Sequence, residues 1–230
     1  ESLLRTSKRR SLKDFLHKDL RGVTPAVANT IAKGVGSGEV RPGTLDAGQV
    51  AWLHQELRDN QAIKDPTTEC LSPAGEYNMR LGVIKELHPS MVATHTEKAG
   101  AHEGHPFLVE TAVSLGGKTV REGINVYRFA NRIPLLFEVG ADVVTVVATK
   151  NINWNNYHIN KDSDRIGVYV SIVSTRIPFK GTSKEYIGDD VTEMHNAVKK
   201  SLQSCCLQLK QHISKNLLAK EEKDRKRSFE

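Results

Sequence analysis

Three groups of residues in this 230-residue chain carry side chains suited to holding a polyanion. The first is Lys180 and Lys184, in Ser174-Thr-Arg-Ile-Pro-Phe-Lys-Gly-Thr-Ser-Lys-Glu185, where a strand ends at a proline and a loop follows. An ammonium on a four-carbon stem reaches a phosphate as a point charge, although most loop lysines simply face water. The second is Trp154 and Tyr157, three apart in Ile152-Asn-Trp-Asn-Asn-Tyr157. Two rings among amide side chains either cap the core, both partly buried, or form a platform for DNA backbone or a protein partner. The third is Lys8, Arg9, Arg10 and Lys13, within a segment (residues 5–21) of seven Lys/Arg against two acids. Residues 199–227 add nine Lys/Arg against three acids, and the whole chain carries a formal net charge of +6. Either basic segment alone reads as a solvated helix face. Together they point to a polyanion, nucleic acid ahead of an acidic membrane surface.

Other candidate motifs fail on spacing. Leu115-Gly-Gly-Lys-Thr119 ends like a phosphate-binding loop, but that loop needs glycine where Ala112 stands, and a strand rather than a helix follows. Gly34, Gly36 and Gly38 miss the dinucleotide pattern because Glu39 occupies a required position. His95, His102 and His105 flank Glu103 without the i, i+4 histidine pair of a zinc-protease helix, and no cysteine pair has zinc spacing. No metal site is therefore expected. Three cysteines, with Cys205 and Cys206 adjacent, do not make a disulfide framework and suit a reducing cytoplasm or nucleus. No apolar run has the length to span a bilayer and the first residues do not form a signal peptide, so no membrane partner is expected. With 38% hydrophobic and 26% charged residues the chain can build a core. Lacking an initial methionine, it reads as part of a longer protein.

The elements that must position these residues fall into two kinds. Leu12, Phe15, Leu16 and Leu20 have helical spacing; Thr24-Pro25 supplies an N-cap and first-turn proline for a helix carrying Val27, Ala28 and Ile31; Asp46 and Gln49 make a capping box for a third. Residues 1–62 therefore read as a compact helical domain, an arrangement often used to hold DNA or RNA. Residues 63–106, with Pro66, Pro73, Pro89 and Pro106, read as a linker with a short helix near 74–84. From Phe107 to Leu115 apolar residues alternate as in a strand, Gly116-Gly117 signals a turn, and a partner strand follows from about Lys118. That partner runs into Tyr127-Arg-Phe-Ala-Asn-Arg-Ile-Pro-Leu-Leu-Phe137, where alternation sets Tyr127, Phe129 and Asn131 on one face and Arg128, Ala130 and Arg132 on the other. Residues 142–149 are ambiguous between a β-branched strand and a crossover helix. Residues 166–173 read as a strand. Val191, Met194, Val198, Leu202, Cys205, Leu209, Ile213 and Leu217 mark a long helix capped near Asp190. Residues 107–230 thus form an α+β domain.

Taken in order, Gly104-His-Pro-Phe107, Tyr127-Arg-Phe-Ala-Asn-Arg-Ile-Pro-Leu-Leu136, Trp154-x-x-Tyr157 and Ser174-Thr-Arg-Ile-Pro-Phe-Lys-Gly181 resemble the B subunit of the type IIB DNA topoisomerases, in a plant-like version. The resemblance covers nearly the whole chain. It implies that residues 1–62 are a helix-two-turns-helix domain and that residues 107–230 are a βαβ transducer with a ribosomal-protein-like fold, in which 142–149 is helical. In that family an ATPase domain precedes these two and binds ATP and Mg2+. ATP dimerises two B subunits in a heterotetramer with two A subunits, and the A subunits cut duplex DNA.

By the same resemblance, the lysine sensing the ATP γ-phosphate is Lys184, or else Lys180. The family's Trp-Lys-x-Tyr DNA element has Asn155 in place of lysine, which removes a phosphate-neutralising charge. DNA contact is then assigned to Trp154 and Tyr157 and to Lys8, Arg9, Arg10 and Lys13. No catalytic residue is expected in this chain, and the expected location is the nucleus. The competing expectation is a non-catalytic scaffold for a meiotic DNA-cleaving partner.

Overall fold

The computed structural model describes residues 2–36, 39–63, 67–181 and 185–228. The chain divides into two compact units, Glu1–Pro66 and Thr67–Glu230.

The first unit is helical: α1 Ser2–Thr6, α2 Leu12–Lys18, α3 Pro25–Val35 and α4 Ala47–Asp59. Each of the three longer helices starts where a side-chain oxygen satisfies a free N–H. Ser11 accepts from Asp14 N at 3.2 Å, Thr24 from Val27 N at 3.4 Å, and Asp46 from Gln49 N at 2.8 Å, with the Gln49 side chain accepting from Asp46 N at 3.1 Å. Leu12, Phe15, Leu16, Ala28, Ile31, Ala32 and Leu53 are buried together. At Gly34 any Cβ would collide with the Trp52 ring, so glycine is what lets α3 and α4 approach so closely.

The second unit is a sheet between helical layers. It comprises α5 Glu76–Leu87, β1 Met91–Thr96, β2 Gly100–His102, β3 His105–Leu115, β4 Gly123–Ala130, β5 Ile133–Pro134, α6 Val143–Val146, β6 Arg165–Ser174, β7 Phe179–Lys180, β8 Tyr186–Ile187 and α7 Thr192–Ser228. The main sheet runs β1-β3-β6-β4-β5, with β2 also on β3, while β7 and β8 form a separate hairpin. One face packs on α6 and α7 through a core including Phe107, Val109, Trp154, Ile166, Val168, Met194, Leu202 and Leu209. The other face lies under α5, where Val83 packs with Val92, Ala112 and Tyr169. The buried Glu110 carboxylate accepts from Ala74 N (2.9 Å) and Gly75 N (2.6 Å), fixing the start of α5 to the sheet.

Two expectations change, and an ambiguity is resolved. Residues 63–106, read as a linker with a short helix near 74–84, do contain that helix, as α5, but also two strands of the main sheet. Their prolines punctuate short elements rather than preventing them.

The strand after Gly116-Gly117 does not pair with its predecessor. Instead β3 lies antiparallel between β1 and β6, and β4 runs parallel to β6. Both glycines have positive φ (79° and 106°), and a Cβ on Gly117 would meet the Leu87 carbonyl at 2.8 Å. The turn therefore closes onto the end of α5 and leads the chain away from β3.

Residues 143–151, ambiguous from their composition, are helical as the family resemblance implies, with the last turn a π turn closed by Ile152 N to Val147 O at 3.1 Å. Helix propensity disfavours valine by a few tenths of a kcal/mol per residue. Burying Val143, Val144 and Val147 contributes roughly 1.5 kcal/mol or more each, and burial wins.

Candidate functional site

The hairpin that carries the candidate lysines begins at Phe179 and returns at Tyr186, with Phe179 opposite Ile187 and Lys180 opposite Tyr186. Lys184 falls outside the described residues. Lys180 is placed. Its Nζ lies 2.7 Å from Asp190 Oδ2, with both side chains substantially exposed. Its stem passes over Gly188, where a Cβ would clash with Asp190 Oδ1 and crowd Lys180 Cγ at 3.0 Å, so a side chain there would displace the pair. The hydrogen bond and charge of Asp190 hold the Lys180 ammonium above its ordinary pKa, and the Lys180 hydrogen bond holds the Asp190 carboxyl below its own.

Around this pair opens a cleft of about 500 Å³ lined by His102, His105, Arg176, Phe179, Lys180 and Asp190 among others. Its basic groups face acids at close range: His102 Nδ1 lies 3.4 Å from Glu193 Oε2, and Arg176 Nη1 lies 3.8 Å from Glu103 Oε2. His105 Nδ1 is 3.0 Å from Thr175 Oγ1. Exposed pairs of this kind contribute little to stability, so a stronger anion can displace the carboxylates. The cleft can therefore present ammonium, guanidinium and imidazole groups to a phosphate. Sequence reasoning weighed His102 and Glu103 only as metal ligands and did not single out Arg176 or Glu193, because the two pairs form only through the fold.

The hairpin's other side is anchored deep in the unit. Ile187 N donates to Asp142 Oδ2 (3.2 Å), and Val144 N donates to Asp142 Oδ1 (2.9 Å) at the start of α6. Arg128 Nη1 lies 3.5 Å from the same carboxylate, while Arg128 Nη2 donates to the Leu135 and Phe137 carbonyls at 2.8 and 2.9 Å. Arg128 is 3% exposed and Asp142 0%. Burial pushes the Asp142 carboxyl above its ordinary range, opposed first by Arg128 and then by the Ile187 and Val144 amides. The rest of the 127–137 stretch is likewise structural. Asn131 and Arg132 both have positive φ (48° and 70°), as a tight two-residue hairpin requires. The Asn131 side chain exchanges hydrogen bonds with the Ser174 backbone at 3.1 and 2.9 Å. Tyr127 stacks on Tyr169 with ring centroids 4.8 Å apart.

Of the DNA candidates, Trp154 requires correction. It is 1% exposed, and its Nε1 donates to the Ala148 carbonyl at 2.8 Å, so the indole fills the core and cannot be a surface platform. Tyr157 is half-buried against the same core. The outward side chains of this turn are Asn155 and Asn156. In the first unit Lys8, Arg9, Arg10 and Lys13 are all exposed, but Arg9 is engaged: Nε and Nη2 donate to Asp19 Oδ1 at 3.0 and 2.6 Å. Cys205 and Cys206 are buried in α7, and burial pushes the Cys206 thiol up to about 12, so it has no reactive thiolate near neutral pH.

The sequence features and the βαβ sheet agree with a known group. Residues 66–226 match the family described as topoisomerase VI B subunit, transducer. The chain belongs to the topoisomerase VI B subunit family. It is 52% identical over 235 residues to the DNA topoisomerase 6 B subunit of Arabidopsis thaliana, covering 99% of this chain and 34% of that protein. The rice (Oryza sativa subsp. indica) protein of the same name is 51% identical, with 99% and 33% covered. The type 2 DNA topoisomerase 6 B subunit of Saccharolobus islandicus is 30% identical over 93% of this chain and 40% of its own length. The chain thus spans about a third of the length of its plant relatives. The DNA gyrase B subunit from Myxococcus xanthus overlaps 60% of this chain and 40% of its own at TM-score 0.40 and 14% identity, a likeness that adds nothing to the family assignment.

Proposed function

We propose that this chain is the energy-coupling region of the B subunit of a type IIB DNA topoisomerase. The observation that carries the reading is the family match over residues 66–226, which includes the lysine hairpin. In this reading residues 67–230 act as the transducer and residues 1–62 as the helix-two-turns-helix domain. The full-length protein binds ATP and Mg2+, pairs with a second copy on ATP binding, and drives duplex DNA cleavage and strand passage by two A subunits, in the nucleus.

The residues present fit one end of the nucleotide. Lys180 and Arg176 line an open cleft with carboxylates that a phosphate could replace. Among the described residues no cluster of three His, Cys, Asp or Glu could hold a metal ion, so Mg2+ is assigned to the ATPase domain that the family implies. ATP supplies the γ-phosphate whose loss is coupled to strand passage. Lys184, with Lys180 second, meets that phosphate as a point charge and reports its presence through the hairpin. DNA contact in the first unit falls to Lys8, Arg10 and Lys13, since Arg9 is tied to Asp19.

Lys184→Ala in the full-length protein, in complex with its A subunit, is expected to lower ATP turnover about a hundredfold, the scale for removing one preorganised charge-stabilising donor. Lys180→Ala is expected to do less. Wild-type ATP-dependent relaxation by the Lys184 variant would overturn the reading.

A further inference from the structure

The hairpin β7–β8 lies outside the main sheet. Its backbone is joined to the rest of the unit at Ile187, which donates to Asp142, and at the bridge between Asp142 and Gly188. Asp142 is thus the backbone attachment of the strand that leads out of the lysine loop. The same carboxylate caps α6 through Val144 N and faces Arg128, whose other nitrogen holds the carbonyls of Leu135 and Phe137. Three pieces of chain therefore converge on one buried ion pair: the crossover helix and the segment following β5, which are near neighbours in sequence, and the hairpin some forty-five residues later.

A buried pair of this kind rarely adds stability over a well-packed apolar pair, because both charges must be stripped of water. What it supplies is direction. Asp142 Oδ1 accepts from Val144 N and Oδ2 from Ile187 N, and the single guanidinium nitrogen Nη2 donates to two carbonyls. Apolar side chains in the same space would fill it without setting an angle.

We propose that Asp142, oriented by Arg128, is the positioning residue for the lysine hairpin. It sets the attitude of β8, and of Lys180 paired opposite Tyr186, relative to α6 and the 135–137 segment. This inference rests on the reading of the hairpin as the phosphate-sensing element. Asp142 touches neither nucleotide nor DNA; it acts through the lysines.

The test uses the full-length protein in complex with its A subunit. Asp142→Asn keeps one acceptor oxygen and removes the charge, and Arg128→Lys keeps the charge but loses the guanidinium, serving if Asp142→Asn does not fold. Ile166→Val, a buried change remote from the hairpin, controls for lost stability. Either test variant is expected to lower kcat for ATP turnover about tenfold with KM for ATP unchanged, and to speed amide exchange at Ile187 about tenfold, the scale of one lost hydrogen bond to a charged group. Combined with Lys184→Ala, Asp142→Asn is expected to cause no further loss of kcat, because a misplaced lysine and a missing one are the same defect. Losses that multiply, or a kcat matching the Ile166→Val control, would overturn the inference while leaving the lysine reading intact. A silent Lys184→Ala would sink the lysine reading instead. Exchange at Ile187 then decides the anchoring: faster exchange in Asp142→Asn upholds it, and unchanged exchange overturns it.

Discussion

The lysine hairpin is held by two ion pairs of opposite character. At Lys180–Asp190 both partners are exposed, the nitrogen and oxygen lie 2.7 Å apart, and neither group depends on the other for its solvation. At Arg128–Asp142 both partners are buried, the direct approach is a looser 3.5 Å, and backbone groups bond the Asp142 oxygens and Arg128 Nη2 while Arg128 Nη1 faces the carboxylate without a hydrogen bond. The tighter pair is the weaker constraint. Water can replace either partner of the exposed pair at little cost, whereas removing one partner of the buried pair strands a charge in the core. One hairpin thus has an exchangeable contact beside its lysine and a fixed one at its base, an arrangement suited to exchanging ligands at one point without losing alignment.

Several changes would break or sharpen that contrast. Arg128→Met leaves the Asp142 carboxylate buried without its counter-ion and is expected to cost about 3–5 kcal/mol of folding free energy, read from denaturant unfolding. Adding Asp142→Leu in the same chain is expected to restore most of that loss while leaving fast amide exchange at the hairpin. A double variant as unstable as the single one would show that the pair matters for stability rather than direction. Gly188→Ala drives a Cβ into Asp190 Oδ1 and crowds Lys180 Cγ, and is expected to separate the exposed pair with only a small change in unfolding midpoint. Loss of the fold in that variant would mean that the exposed contact is not exchangeable.

The smallest effect is a pH response. Carboxyl NMR is expected to show Asp142 titrating above the ordinary aspartate value of 3.8 and Asp190 below it. The contribution of the exposed pair is then present above that value and fades as pH falls through the depressed Asp190 pKa. The Asp142 shift has the other sign: its desolvation penalty is present above the raised pKa and is relieved as the carboxyl protonates. Lys180→Met is expected to return Asp190 towards its ordinary value without moving Asp142.

Local signals were legible and long-range ones were not. The caps at Thr24 and Asp46, the alternation from Phe107 to Leu115 and the apolar stripe from Val191 to Leu209 each follow from neighbours within a few residues, and each appears in the structure. The 127–137 stretch was legible as unusual, but its purpose was not. Nothing local says that Arg128 faces Asp142, or that Asn131 completes the ladder at Ser174, because both contacts depend on β4 lying parallel to β6. Trp154 misled for a related reason. Amide neighbours suggest a wet surface, yet they alternate with the indole around a turn whose inner side is the core. Family resemblance directed attention to the lysine loop, but the acids and cations of the cleft emerge only when β2, the hairpin and the start of α7 are brought together.

Helix α7 has 37 residues, about 55 Å of rod at 1.5 Å per residue. Buried side chains continue as far as Leu209, and from Lys215 onward every described side chain is exposed. The last fourteen residues therefore extend about 21 Å beyond the part that the sheet holds. A tilt of about 10° where α7 crosses the sheet, pivoting near Leu209, would sweep the far end sideways by roughly 4 Å or more, with no hydrogen bond in the helix broken. The arms of α7 on either side of Leu209 are about equal in length, so a swing of the exposed end demands an opposite shift of similar size where the helix begins, a few residues after the lysine hairpin.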